Sequence, residues 1–148
     1  MMNFAKTNAL LQNDERFAEF IEKYRIELVI IFGSVAKNAK EAHDIDIAIQ
    51  SKDQALPSQK LDLIYELSEF FSHDIDLTII NINTDLLLLY EIVCGGKCIF
   101  ERNDGMFLEL KSLIWRMYHT QNFLLSKYQA IFITRKFKEL KHVTRSKN

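Results

Sequence analysis

The 148-residue chain predicts an α/β unit of the α+β kind: a small mixed β-sheet with helices packed on one side, plus a C-terminal helical extension. Three observations predict it. Apolar runs of strand length at residues 27–33, 44–50 and 75–81 alternate with stretches of helical periodicity, the pattern of a sheet covered by helices. Cap and turn residues fall between those segments. One proline and four glycines leave little room for linkers, and the length suits one domain that buries a core without metal or disulfide staples. Residues 1–103 form the core in this reading, and residues 104–148 are a helical extension of the same domain with a basic tail.

Residues 13–25 place Phe17, Phe20, Ile21 and Tyr24 at helical spacing behind an Asn13 or Asp14 cap. Glu27–Gly33 reads as a central strand, and Val35–Lys40 as a short helical turn leading to the strand 44–50. Pro57 and Ser58 open a helix through Phe71, with Leu61, Ile64, Leu67 and Phe71 on its inner face. Residues 75–81 give the third strand. Residues 84–94 form a helix capped by Thr84 and ended by Gly95 and Gly96, followed by a short edge strand, Lys97 to Arg102. From Asp104 a stripe of Phe107, Leu110, Leu113, Ile114, Met117, Tyr118, Leu124, Leu125, Tyr128, Ile131 and Phe132 marks one or two helices. Its first half is expected on the sheet. Its second half exceeds what so small a sheet covers, and a leftover apolar face points to a partner or a dimer.

The chemistry lies in residues 30–50. Alternate strand residues share a face, so Asp44 and Asp46 project together from the start of their strand. Carboxylates held that close repel unless a cation lies between them, and hard oxygen ligands suit magnesium or manganese. Upstream, Gly33 leaves room for a phosphate to approach the backbone, and Ser34 offers a hydroxyl and an amide where a short helix begins. A phosphate clasp thus lies beside a metal clasp.

The run FGSVAK…DID resembles the glycine-serine…Asp-x-Asp signature of polymerase beta-type nucleotidyltransferases, and in so short a chain it is similar to their minimal nucleotidyltransferase (MNT) group. The spacer differs from the usual pattern at Asn38 and His43. The resemblance implies that fold, a third acid on the neighbouring strand, assigned to Asp76, and a phosphate contact from Lys37. Asp74 shares the face of Asp76 but is expected to cap the strand or face solvent. Further implied are ATP as substrate, two Mg2+ or Mn2+ ions on Asp44, Asp46 and Asp76, and nucleotide contacts from Gly33, Ser34 and Lys37. The group's usual role is that of an antitoxin that adenylylates a tyrosine on a HEPN ribonuclease toxin. A toxin of that kind, docked on the C-terminal helix, is the partner the resemblance implies, in a homo- or hetero-oligomer. The competing function is an antitoxin or adaptor that neutralises its partner by binding alone.

Other readings are weaker. Solvent-exposed turn aspartates would explain the Asp-x-Asp pair but leave Gly33, Ser34 and Asp76 as coincidences. DIDLT at residues 74–78 fits a haloacid dehalogenase-type phosphatase string, yet there the apolar strand precedes the acids, and here it follows them. His43 and His73 are expected to face solvent. Cys94 and Cys98 have no second Cys/His pair nearby to complete a zinc site, and read as reduced structural thiols. A net charge of −1 argues against a general nucleic-acid binder. Residues 1–12 carry too interrupted an apolar run for a secretory signal, and the most apolar helix is broken by Arg116, His119, Gln121, Asn122 and Lys127, so a cytoplasmic protein without a membrane span is expected. The last fourteen residues, with six Lys or Arg against one Glu, are expected to be a solvated tail.

Overall fold

The strand IELVIIF is apolar on both faces because both faces are covered. In the computed structural model, which describes residues 8–9, 11, 13–37, 43–122 and 124, this segment is β1 (Ile26–Phe32), and all of its residues but Glu27 are buried. Its partners are β2 (Asp44–Ser51) and β4 (Lys97–Glu101), both antiparallel to it. β3 (Asp74–Ile79) lies parallel to β2, giving the order β3-β2-β1-β4. The expected mixed sheet and the edge position of 97–101 are therefore present.

Helix α1 (Glu15–Lys23) starts where the Asp14 carboxylate accepts from the Arg16 N–H at 2.9 Å, with Glu15 in its first turn and Lys23 in its last, as the helix dipole favours. The four-residue α2 (Gly33–Ala36) follows β1 directly, two residues before the expected turn. A 3-10 turn at Leu56–Gln59 leads into α3 (Lys60–Phe71), whose last residue is followed by Ser72 in the left-handed region. Helix α3 is the crossover that a parallel β2/β3 pair needs. Helix α4 (Leu86–Gly95) is capped by Asp85, which accepts from the Leu87 and Leu88 N–H groups. Thr84, the expected cap, instead accepts from the Asn81 N–H and closes the preceding turn.

Two cores result. Ile26, Val29, Ile31, Ile45, Ile47, Ile49, Leu77 and Ile99 pack against α1, α2 and α3, with Phe17, Phe20 and Phe70 in mutual ring contact 5.6 to 6.0 Å between centroids. On the opposite face, Ile30, Phe32 and Ala48 meet Ile92 and Val93 of α4 and Ile114 of the helix over residues 106–122. Helices thus cover both faces, where packing on one side was expected. The reason is that Ile30 and Ala48, fully buried, needed an apolar lid of their own.

On α3 the expected inner face is corrected in one residue. Leu61 is 81% exposed, and Leu63 is fully buried beside Leu67 and Phe71. The true stripe runs in steps of four residues, so position 61 points away from it.

The chain falls into two units, Met1–Ile114 and Trp115–Asn148. The first includes the start of a helix over residues 106–122, whose opening N–H groups at Gly105 and Phe107 donate to the Glu101 carboxylate. Phe107, Leu110 and Ile114 turn to the sheet, whereas Leu113 is exposed, in contrast to the expected stripe. In the second unit residues 115–122 and 124 are helical, with Trp115, Met117 and Leu124 exposed and Trp115 against His119 at 4.2 Å. The basic tail, Lys40, Asn38 and the expected apolar positions 125, 128, 131 and 132 lie outside the described residues. Among the described residues, no helix is long and apolar enough to cross a membrane.

Candidate active site

β1 ends, and β2 and β3 begin, at one edge of the sheet. Phe32 pairs with Asp46, Asp46 with Asp76, and Asp44 with Asp74. Ile45, Ile47 and Leu77 belong to the core under α1 and α3, so by strand alternation the four aspartates project to the other face, ahead of Ala48 and Thr78. Neighbouring strands stand about 5 Å apart, and alternate residues along one strand about 7 Å. The carboxylates therefore form a small grid, two on each strand.

Asp44, Asp74 and Asp76 are exposed and Asp46 is half-buried. Burial pushes the Asp46 carboxyl above the usual carboxylate range, and the charges of Asp76 and then Asp44 push the same way. Among the described residues, no salt bridge to a lysine or arginine involves any of the four. Gly33 sits at a positive φ of 66°, with its α-carbon against the Asp46 carboxylate. Ser34 is half-buried in α2. Lys37, the C-cap of α2, is exposed.

The structure thus brings Asp44, Asp46 and Asp76 to one edge and sets Gly33 against Asp46. It also brings in Asp74, expected to cap the strand or face solvent. Asp74 is exposed, yet it stands in register with Asp44. The signal for this was the echo of HDIDIAI in HDIDLTI, which marks two parallel strands in register. His43 and His73 are exposed, and a ring nitrogen of His73 lies 2.8 Å from the Phe71 carbonyl.

A resident metal is tested by its donors. Hard, anionic oxygens that repel one another suit a divalent cation in kind and charge. Among the described residues, no three acid, histidine or cysteine side chains are gathered closely enough to hold an ion as they stand. The carboxylates fit the ion in kind and charge, though not in spacing as they stand.

Two hollows lie elsewhere: about 460 Å³ between α1 and α3, beside Lys23, Tyr65 and Phe70, and about 250 Å³ beside Leu11, Phe17 and Ile99. Neither is lined by the aspartates of the grid. Cys94 and Cys98 are free thiols, and burial pushes Cys98 up to about 11 while its S–H donates to the Phe100 carbonyl, the behaviour of a structural cysteine.

Several solved structures share this fold. One is a crystal structure of a toxin–antitoxin pair with AMP-PNP, at 21% identity and a TM-score of 0.61 over 81% of this chain and 95% of that one. Another is a tri-AMPylated Shewanella oneidensis HEPN toxin in complex with MNT antitoxin, at 21% identity and a TM-score of 0.58 over 84% and 95%. A third is the toxin–antitoxin MntA-HepT, at 21% identity and a TM-score of 0.57 over the same shares. At such identity the likeness is one of fold. No curated protein matches the chain. The family described as polymerase beta, nucleotidyltransferase matches residues 15–105, which spans every strand of the sheet and all four aspartates. The chain belongs to the polymerase beta nucleotidyltransferase family.

Proposed function

We propose that the protein transfers AMP from ATP to a tyrosine hydroxyl of a partner HEPN ribonuclease toxin and so acts as its antitoxin. The observation that carries this is the register that sets Asp46 between Phe32 and Asp76, with Gly33 against its carboxylate, on a sheet of the nucleotidyltransferase family. The structures of like fold support the partner class, since they are toxin–antitoxin complexes with AMP-PNP or an AMPylated HEPN toxin.

In this reading Asp44, Asp46 and Asp76 would hold two Mg2+ or Mn2+ ions. Bound there, the ions supply Lewis acidity toward the triphosphate and the acceptor oxygen. Gly33, Ser34 and Lys37 hold and orient the outer phosphates. The acceptor oxygen attacks the α-phosphorus, the bond to the bridging oxygen of the β-phosphate breaks, and pyrophosphate leaves. Asp76, exposed at the rim, receives the hydroxyl proton. Exposed Trp115, Met117 and Leu124 of the second unit support docking of the toxin on the C-terminal helix.

The test is incubation with radiolabelled ATP and magnesium, with and without the HEPN partner. Label on the partner that disappears with Asp46→Asn is the expected result. Tight binding of the partner without label on either protein would replace transfer with neutralisation by binding alone.

A further inference from the structure

Two glycines adopt left-handed backbone conformations, Gly33 at φ 66° and Gly105 at φ 88°. Their surroundings differ. A Cβ on Gly105 would meet nothing within 4 Å, whereas one on Gly33 would stand 2.9 Å from the carboxylate carbon of Asp46 and nearer still to one of its oxygens. Real Cβ atoms essentially never come so close, so something would have to shift. The backbone of Asp46 is poorly placed to give way. It is paired with Phe32 on one side and Asp76 on the other, and Ile45 and Ile47 flank it in the core. The carboxylate itself would have to rotate away from α2.

We infer that Gly33 is a positioning residue for Asp46: the missing side chain at 33 lets the Asp46 carboxylate lie against the start of α2, in the orientation from which it serves the metal-bearing edge. This rests on the metal-dependent reading above and gives Gly33 a second duty besides leaving room for phosphate. Asparagine, which tolerates a positive φ better than most residues, would not substitute, because its Cβ meets the same carboxylate.

The test compares Mn2+ binding, followed by the electron paramagnetic resonance signal of the free ion, in wild type, Gly33→Ala and Gly105→Ala. Gly33→Ala is expected to lose about 10- to 100-fold in affinity, the range seen when a ligand's support is removed. Gly105→Ala, which carries backbone strain without the collision, should bind as wild type does. Equal affinity in Gly33→Ala and wild type would overturn the inference. A thermal cycle decides the contact independently of metal. Gly33→Ala should lower Tm more in the wild-type background than in Asp46→Ala, where the obstructing carboxylate is gone, and equal losses would overturn it. Wild type that binds no Mn2+ would sink the metal reading, and the positioning role with it, while the thermal cycle still decides whether the contact exists.

Discussion

Glu66 on α3 and Asp46 on β2 are both half-buried carboxylates, and the protein meets their charges in opposite ways. Burial alone would raise Glu66, but the Lys23 ammonium at 2.6 Å and the Tyr24 hydroxyl donating at 2.7 Å outweigh it and hold the carboxyl below the usual glutamate range. Lys23 is pushed up to about 12, a large rise because the exposed ammonium loses little hydration while it gains two partners. Asp46 has burial and two like charges, and among the described residues no salt bridge to a cation. The first cluster is complete as folded and ties α1 to α3. The second is complete only with something positive added. Under the proposed function, that unbalanced charge is what the site would use to draw in a cation.

The sharpest way to break this comparison is Asp46→Asn. If the grid is a site, AMP transfer falls by about 1,000-fold or more, as expected when several kcal/mol of transition-state stabilisation are lost. The metal-free protein should melt no lower than wild type, because a repelling charge is gone. A large loss of Tm together with activity would make Asp46 structural.

Glu66→Ala tests the other half. It removes the acceptor of the part-buried Tyr24 hydroxyl, which keeps Lys23 beside it, and the tie between α1 and α3, so a loss of about 1 kcal/mol is expected in denaturant unfolding. Nucleotide transfer at a temperature where the variant is folded should be unchanged.

The two clusters also give opposite pH signs. Glu66 titrates lower when folded, so its stabilisation is present above the ordinary glutamate pKa and fades as pH falls through the depressed value. Asp46 titrates higher when folded, so it costs stability as pH rises from the ordinary aspartate pKa through the raised value. Melting of Glu66→Gln and Asp46→Asn across mildly acid pH should therefore diverge from wild type in opposite directions. Curves that shift alike would erase the distinction drawn here. The smallest effect is expected from Lys23→Met, whose exposed ion pair is screened by salt: a slight fall in Tm at low ionic strength that shrinks at high salt.

Much of this was legible in the chain. Strand alternation alone put Asp44 and Asp46 on one face, and the apolar run at 27–33 announced a central strand, while the helical cover on its second face came only with the fold. The helix around Phe17, Phe20 and Ile21 followed from spacing. Leu61 and Leu63 show the limit: both are leucines on one helix, two residues apart, and only the position of the sheet decides which is core. Thr84 and Asp85 are adjacent capping types, and the choice fell to the residue whose oxygen reached the Leu87 and Leu88 amides.

By itself the sequence determined where strands and helices run and which acids share a face, because those follow from periods of 2 and 3.6 along one backbone. The tertiary structure decided which strand lies beside which. Parallel pairing of β2 with β3 turned two distant Asp-x-Asp echoes into a four-carboxylate grid, and antiparallel pairing of β1 with β2 brought Gly33 against Asp46. Those contacts join residues thirteen and thirty positions apart, a separation over which local periodicity carries no information and only the packing of both sheet faces selects the register.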